Sequence, residues 1–330
     1  VNDPTHATVV RFARTPVVGR PFTISETNHP FPHEYSCEGI PILTAYALFH
    51  DWDGLYWFTY GQGRRADPAA GLTRDWLDFS NDPVKMTNLA ACALMWHRRD
   101  VRPARHTVVR SYTRDQVIET LRGDRVVDPP FFTPGFPPTT PLVHATRLSF
   151  DGPSEMPVPP AAPPGRIEAD TGQLGWYDAD RGRGLVTIDT EGTRALIGFV
   201  QGSGRSVPGL AADVANEFCA LMLTTLDGEP LDRSSRLLLA TTARATNTAL
   251  RWEADRQKLA DLGRGPVVIE PVTGTVTLSR LGAVRGLRAR PLAAEGRPME
   301  GDLAARPTDR GWEIRLGDPA TTWCLIEVTR

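Results

Sequence analysis

Glu26 is the residue of this chain whose type and position best fit a chemical role. It closes the run Phe22-Thr-Ile-Ser-Glu26, in which residues 22–25 predict a short buried β-strand introduced by Pro21. A carboxylate at the end of such a strand packs poorly, whereas strand ends supply the catalytic groups of parallel sheets and barrels. An ionised glutamate also needs a hydrogen bond or a counter-charge if it is buried. Glu26 is therefore the first candidate for a catalytic residue.

The loop that follows Glu26 is polar, aromatic and stiffened by prolines. Asn28 and His29 come within three residues of the carboxylate. We interpret them as groups that contact a substrate or orient Glu26, with bracing of the loop as the alternative. His33 and Glu34 are residue types that also bind metals. The prolines interrupt any regular ligand spacing, however, and the sequence has no other cluster of ligand types, so it predicts no metal site.

Aromatic side chains on a second strand follow one helix further along. Residues 55–60, Leu-Tyr-Trp-Phe-Thr-Tyr, predict this strand, and residues 35–52 predict an amphipathic helix before it. Strand, helix and strand form a βαβ unit with Glu26 at the open end of the first strand. Trp57 offers a flat surface on which a sugar ring can stack, and Tyr60 is a second candidate for substrate binding. Packing in a core is the alternative for both.

The rest of the chain divides into a helical part, a proline-rich part and a strand-rich part. Asp82-Pro83 is a helix N-cap signature and opens a helix that ends near residue 98. Prolines are dense at 128–141 and 153–164, where they predict extended linkers. Beyond about residue 165, short alternating strands separated by Gly, Asp and Pro predict an antiparallel β-sandwich. The predicted domains are therefore 1–125, 126–165 and 166–330.

Composition excludes several classes of protein. A formal net charge of −2 and 41% hydrophobic residues are ordinary for a soluble globular protein and give no basis for binding nucleic acid. No apolar run approaches the ~20 residues that span a bilayer. The first residues of the sequence show no signal-peptide pattern, and the compartment stays open between cytoplasm, periplasm and secretion. The four cysteines lie far apart in apolar neighbourhoods, which predicts buried thiols, with one disulfide as the alternative.

Four motifs resemble the last two β/α units of retaining glycoside hydrolases with a (β/α)8 barrel, the group known as clan A. They are Pro21-Phe-Thr-Ile-Ser-Glu26-Thr-Asn28-His29, Glu38-Gly-Ile-Pro41, Ala45-Tyr46-Ala47 and Asp51-Trp-Asp-Gly-Leu55-Tyr-Trp-Phe58. The stretches 81–104 and 234–248 are similar to the tails of bacterial members, which attach β-sandwich domains after the barrel. The resemblance implies an α/β plus all-β fold. Residues 1–125 would be the C-terminal portion of a TIM barrel with following helices, and residues 166–330 a β-sandwich.

The same resemblance implies an activity. Glu26 corresponds to the family's nucleophile and Trp57 to a tryptophan that lines its sugar site, so we expect a hydrolase of β-linked glycosides that uses no metal or organic cofactor. No residue of this chain corresponds to the family's acid/base glutamate. The expected partners are the carbohydrate substrate and an N-terminal barrel segment, from the same precursor or a separate chain, without which the chain is expected to be inactive. The alternative is a non-catalytic carbohydrate-binding or scaffolding β-sandwich with a degenerate barrel remnant.

Overall fold

The computed structural model describes residues 1–61, 71–116, 118, 137–150 and 162–330. The chain divides into two compact units. The first consists of Val1–Ser25, Ile42–Tyr56 and Val101–Thr187, and the second of Glu26–Pro41, Trp57–Asp100 and Ile188–Arg330. Much of the two proline-rich stretches, and so of the predicted linker at 126–165, lies outside the described residues. The division into three domains stays a prediction.

Strands outnumber helices along the described residues. The α-helices with defined bounds are α1 (Thr8–Phe12), α2 (Gly39–Phe49), α3 (Pro83–Arg98) and α4 (Thr140–Val143), and short 3-10 helices span Pro4–His6, Ser36–Glu38 and Ala179–Arg181. The strands are β1 (Thr23–Thr27), β2 (Gly54–Trp57), β3 (Thr107–Ser111), β4 (Ala145–Ser149), β5 (Arg166–Glu168), β6 (Leu174–Tyr177), β7 (Leu185–Asp189), β8 (Thr193–Gly198), β9 (Leu210–Val214), β10 (Cys219–Thr225), β11 (Arg236–Thr242), β12 (Ala245–Thr248), β13 (Arg251–Trp252), β14 (Leu259–Asp261), β15 (Arg264–Ile269), β16 (Gly274–Leu278), β17 (Gly286–Pro291), β18 (Ala305–Thr308), β19 (Gly311–Leu316) and β20 (Trp323–Thr329).

The predicted strand–helix–strand unit is present as β1, α2 and β2, and the two strands form one small sheet. The Asp53 N–H donates to the Phe22 carbonyl at 2.9 Å, and the Phe58 N–H donates to the Thr27 carbonyl at 3.0 Å. Both pairs are separated by 31 residues along the chain, and a constant separation is the mark of parallel strands. Because Thr27 keeps its backbone paired with Phe58, β1 continues past the predicted end, and Glu26 lies within the strand, one residue before its last.

Helix α2 is buried on all of its faces rather than on one. The sequence predicted an amphipathic helix, but every residue from Pro41 to His50 is buried. The reason is visible in the composition, because Gly39–Phe49 contains no charged residue, and a helix that is apolar all round belongs in a core. His50 follows the helix as a buried polar group, and its Nε2 is 2.8 Å from the carbonyl oxygen of Pro141.

Asp170 organises the parallel pair of strands β3 and β4 in the first unit. There β3 pairs with β4 in parallel, and β5 pairs with β6 antiparallel. The Asp170 carboxylate accepts hydrogen bonds from the backbone N–H groups of Arg105 and His106, both at 2.9 Å, and lies 2.9 Å from Nδ1 of His144. Arg105 and His106 directly precede β3, and His144 directly precedes β4. One carboxylate therefore holds the starts of both parallel strands.

Antiparallel sheets make up most of the second unit. Strands β17, β20, β11, β10 and β8 lie side by side in this order, each antiparallel to its neighbours. A second sheet has the order β18-β19-β16-β9 and is also antiparallel. Every residue of β10, from Cys219 to Thr225, is buried. Since successive side chains of a strand point to opposite faces, both faces of the larger sheet must be covered at β10.

Helix α3 begins where the sequence predicts it. The Asp82 carboxylate accepts hydrogen bonds from the backbone N–H groups of Val84 and Lys85, both at 3.0 Å, and Pro83 occupies the first turn. At the other end Arg99 has a left-handed backbone with φ of 55°, a common way to close a helix. The predicted cap and the predicted end near residue 98 are confirmed.

Helix α3 packs on the larger sheet of the second unit. Cys92 Sγ of the helix lies 3.9 Å from Met222 Sδ of β10. The hydroxyl of Thr242, on β11, donates a hydrogen bond of 3.1 Å to Oδ1 of the buried Asn88. The helix thus covers one face of the sheet with an apolar contact and a satisfied polar pair, as buried amides require.

The protein has a mixed fold made mostly of antiparallel β-sheets with few helices. The strand-rich character predicted for the part after residue 165 is confirmed. The parallel βαβ unit is the feature that a barrel would share, and the barrel itself stays a prediction. Along the described ranges, no helix is both long and apolar enough to cross a bilayer.

All four cysteines are free and buried, which confirms the reading of the sequence. Burial raises the pKa of Cys37 well above its usual value and the pKa of both Cys219 and Cys324 to about 12. The cause is that a thiolate is poorly solvated in an apolar interior. Because the thiolate is the reactive form, these cysteines should be inert in the folded protein.

We expect the native protein to leave its four thiols unmodified by the disulfide reagent 5,5′-dithiobis(2-nitrobenzoate). Chain unfolded in guanidinium chloride should release four equivalents of the coloured product, because burial is then lost. Absorbance at matched protein concentration measures both states. Fast release of even one equivalent by native protein would contradict the burial of these groups.

Candidate functional site

The candidate nucleophile lies on an anchored strand and is open to solvent. Glu26 is exposed, while Ile24 and Thr27 of the same strand are buried. The hydrogen bond from the Phe58 N–H to the Thr27 carbonyl fixes the backbone next to the carboxylate. Glu26 thus combines an ordered backbone with an accessible side chain, which is the arrangement that attack on an incoming substrate requires.

Asn28 braces the chain around this strand end. Its amide nitrogen donates to the carbonyl oxygens of Phe58 and Leu77, both at 2.7 Å. Both amide hydrogens are therefore engaged by the main chain, and contact with a substrate is left to the side-chain oxygen. Of the two roles that the sequence left open, loop bracing is the one that this geometry supports.

His29 lies directly against the start of α2. A β-carbon placed on Gly39 would come within 2.7 Å of the imidazole ring, so only glycine fits there. Burial lowers the pKa of His29 to about 3, and the positive charges of His33 and Lys85 add to the effect. Nδ1 of His29 is buried and has no hydrogen-bond partner among the described residues. His29 is therefore a neutral imidazole at physiological pH.

Lys85 holds the main chain at His29 through a hydrogen bond from its buried side chain. Its side chain is only 2% exposed, and Nζ donates a hydrogen bond of 2.5 Å to the His29 carbonyl oxygen. Nζ also lies 3.7 Å from Oδ2 of Asp82. Burial lowers the pKa of Lys85 and raises the pKa of Asp82, and the attraction between the two opposes both shifts. The loop that follows Glu26, called the site loop below, is thus connected to the first turn of α3 by the buried side chain of Lys85.

The far end of the same loop is anchored on the β-sheets of the second unit. The Glu34 carboxylate accepts a hydrogen bond from Arg256 and lies 3.5 Å from Nη1 of Arg244. The ring centres of Tyr35 and Phe218 are 4.5 Å apart, and the guanidinium carbon of Arg244 lies 5.8 Å from the centre of the Tyr35 ring. Glu34 is of a residue type that can bind metals, but its carboxylate is paired with Arg244 and Arg256.

Trp57 and Tyr60 occupy the end of β2 and the turn after it. Trp57 is the last residue of the strand and is partly buried. The strand ends before the predicted residue 60 because Thr59 turns to a new partner: its N–H donates to the Leu77 carbonyl, and its carbonyl accepts from the Phe79 N–H. Tyr60 is 62% exposed. Both aromatic rings belong to the compact unit that contains Glu26.

Sequence reasoning missed Trp76, which is the most exposed large hydrophobic residue of the described chain at 69%. Its carbonyl accepts a hydrogen bond of 2.7 Å from the Phe31 N–H, in the loop that follows Glu26. A signal was available, because the residues two positions before and after Trp76, Arg74 and Asp78, are both charged, and the run Thr73-Arg-Asp-Trp-Leu-Asp78 therefore lacks the apolar alternation of a buried strand.

A surface cavity of about 760 Å³ lies on the four-stranded sheet, away from these residues, between Thr273 and Asp318 in sequence. Two of its charged residues, Arg306 and Glu313, pair with each other at 2.6 Å, so they cancel rather than attract a ligand. The segments at the end of β1 and β2 differ from this cavity in their residue types, which are a carboxylate, an imidazole and aromatic rings.

Comparisons with known proteins add no relative to this picture. No protein-family model matches the chain, no curated protein sequence matches it, and no solved structure matches it. Across the described ranges, no group of three or more His, Cys, Asp or Glu side chains is arranged to hold a metal ion. The functional interpretation therefore depends on the residues and their geometry.

Replacing Asn28 by aspartate tests the bracing role. Asn28→Asp keeps the shape but places oxygen against the carbonyl oxygens of Phe58 and Leu77, so it should lower the free energy of unfolding by about 1–3 kcal/mol. Asn28→Ala, which removes the donors without adding repulsion, should cost less. Urea unfolding followed by circular dichroism measures both, and an unchanged midpoint for Asn28→Asp would show that the amide does not brace the loop.

The neutral state of His29 predicts a dependence of stability on pH. Below pH about 6.5 the unfolded chain binds a proton at this residue and the folded protein does not, so stability falls as pH drops from about 6.5 toward 3. Above this window the residue makes no pH-dependent contribution.

Comparing urea unfolding at about pH 7 and about pH 4.5, the wild type should lose on the order of 1–2 kcal/mol more than His29→Gln. The exposed His97 provides the control, and His97→Gln should follow the wild type. Equal losses in all three proteins would mean that His29 titrates normally in the folded state.

Proposed function

We propose that this chain supplies the nucleophile half of a retaining glycoside hydrolase that acts on β-linked glycosides. The observation that carries the proposal is the accessible carboxylate of Glu26 on a strand that pairs in parallel with β2, whose last residue is Trp57. The parallel pairing supports the proposal because neighbouring strands of the barrel that the sequence motifs resemble are also parallel. In such barrels, active sites are built at the carboxyl ends of the strands.

In the proposed mechanism Glu26 attacks the anomeric carbon of the bound sugar. A second carboxylic acid, about 5–5.5 Å from Glu26, protonates the oxygen of the leaving group as the bond breaks. The covalent glycosyl-enzyme is then hydrolysed by water, which the second carboxylate activates, and the configuration at the anomeric carbon is retained. No metal or organic cofactor takes part in these steps.

The neighbouring residues have distinct roles in this proposal. Asn28 fixes the backbone beside the nucleophile and presents its oxygen to a sugar hydroxyl. His29, as a neutral ring, hydrogen-bonds a hydroxyl without placing a positive charge that would weaken Glu26 as a nucleophile. Trp57 stacks on the sugar ring, and the exposed Tyr60 contacts the outer part of the substrate.

The second carboxylic acid is proposed to come from an N-terminal barrel segment that joins β1 and β2. A two-stranded parallel sheet is not a stable structure by itself in water. Further strands beside β1 and β2 would pair with the edges of this sheet and bring the acid/base residue to the opposite side of the sugar. The β-rich part, proposed to be a β-sandwich, would support this assembly.

Substitution of the nucleophile tests the proposal directly. In the enzyme assembled with its barrel segment, Glu26→Gln should lower kcat by roughly 10⁴-fold or more, because a covalent mechanism stops without its nucleophile. Glu229→Gln changes an exposed carboxylate on the turn after β10 and should leave kcat unchanged. Hydrolysis of aryl β-glycosides measures both variants.

Trapping of the intermediate gives an independent readout. A 2-deoxy-2-fluoro glycoside should attach covalently to the peptide that contains Glu26, as seen by mass spectrometry after proteolysis. Label on another peptide, or full turnover by Glu26→Gln, would contradict the assignment. Sugar binding without turnover in the assembled protein would favour the non-catalytic binding module instead.

A further inference from the structure

Trp76 combines an exposed side chain with a main chain that is held in place. Large aromatic residues are normally at least partly buried, because water contact with an indole is unfavourable, and Trp52 and Trp176 of this chain follow that rule at 1% and 2% exposure. Trp76 does not, at 69%. A single exposed aromatic residue needs an explanation only when its backbone is ordered, and here it is.

Three hydrogen bonds, one accepted by the Trp76 carbonyl and two by the carbonyl of the next residue, Leu77, tie this segment to those that carry the candidate site. Its carbonyl accepts from the Phe31 N–H at 2.7 Å, and the next carbonyl, of Leu77, accepts from Asn28 Nδ2 at 2.7 Å and from the Thr59 N–H at 2.9 Å. Asn28 lies two residues after Glu26, and Thr59 lies two residues after Trp57. The Trp76 backbone is therefore bonded into the same strand ends as the proposed nucleophile and its stacking partner.

The two-stranded sheet of β12 and β15 holds the other end of this segment. Asn247 is buried, and its side chain clamps Thr73 like a strand partner: Oδ1 accepts from the Thr73 N–H at 3.0 Å, and Nδ2 donates to the Thr73 carbonyl at 2.8 Å. The Val267 N–H donates to the Gly71 carbonyl at 2.7 Å. A segment fixed at both ends loses little further backbone freedom when a ligand binds to it.

We propose that Trp76 is a second stacking surface, for a sugar ring of an oligosaccharide chain that extends beyond the ring bound at Trp57. This inference rests on the proposed function and adds to it a preference for oligosaccharides over short glycosides. The negative face of an indole attracts the weakly positive C–H groups on one side of a sugar ring. The ring's hydroxyls meanwhile stay in water at an exposed site, so little desolvation opposes binding.

Binding to the 330-residue chain tests this without requiring turnover. Isothermal titration is performed with β-linked disaccharides and tetrasaccharides of glucose, galactose and mannose. We expect at least one tetrasaccharide to bind the wild type, and Trp76→Ala to weaken its binding by roughly tenfold. The matching disaccharide should lose less. Trp76→Phe, which keeps an aromatic face, should recover most of the affinity.

Matched variants separate this inference from the proposed function. Phe150→Ala removes another exposed aromatic side chain and should bind as the wild type does. Glu229→Gln, which changes an exposed carboxylate on the turn after β10, should also keep tetrasaccharide binding and its dependence on Trp76. If tetrasaccharide binding depends on Trp76 but the assembled enzyme does not hydrolyse glycosides, the proposed function is contradicted and the stacking surface is supported.

Other results would overturn the inference. These are absence of binding of every tetrasaccharide to the wild type, or equal affinities for the wild type and Trp76→Ala. Loss of self-association in Trp76→Ala with sugar affinity unchanged, seen by sedimentation velocity, would instead assign the indole to a protein contact. Thermal unfolding of each variant shows that it is folded, and Trp76→Phe provides a second reading if the alanine variant is not.

Discussion

The candidate site depends on one buried cation. Lys85 has almost no exposed surface, and an ammonium in such a place must be paired and hydrogen-bonded or the fold loses several kcal/mol. Its partners are the Asp82 carboxylate, which also caps α3, and the carbonyl oxygen of His29. The position of the His29 loop is therefore determined by α3, and α3 is in turn held on the larger sheet through contacts such as Asn88 with Thr242. The larger sheet therefore positions α3, and α3 positions the loop that follows Glu26.

The β-rich part consequently does more than follow the site in sequence. Arg256 engages Glu34 at one end of the site loop, and Asn247 clamps Thr73 in the segment that presents Trp76. These residues come from strands and turns far along the chain, and all of them belong to the second compact unit together with Glu26. Rigid support of this kind is what keeps a binding surface in the geometry that a ligand needs. The sheets therefore act as the framework on which the strand ends are held.

Elements with local determinants were predictable from the sequence, and elements with distant determinants were not. Asp82-Pro83 marked the start of α3, and the short alternating strands expected after about residue 165 are present. By contrast, β18 contains arginine and proline, shows no apolar alternation, and owes its conformation to pairing with β19. The candidate site follows the same division: Glu26 was visible from its place near the end of a predicted strand, whereas the role of Lys85 depends on a carbonyl 56 residues away. The spacing of apolar residues predicts which face of a helix or strand is buried, but it does not predict which distant residue packs against that face.

The boundaries between the two units cut through secondary structure. Four of them fall inside β1, α2, β2 and β7, and the fifth follows α3 between Asp100 and Val101. No single break in the polypeptide can therefore release one unit whole. If residues 188–330 were lost, Glu26–Pro41 and Trp57–Asp100 would no longer have the sheets of the second unit to pack against. In recombination between related genes, the segments 26–41 and 57–100 would therefore stay intact only if they were inherited together with the β-rich part.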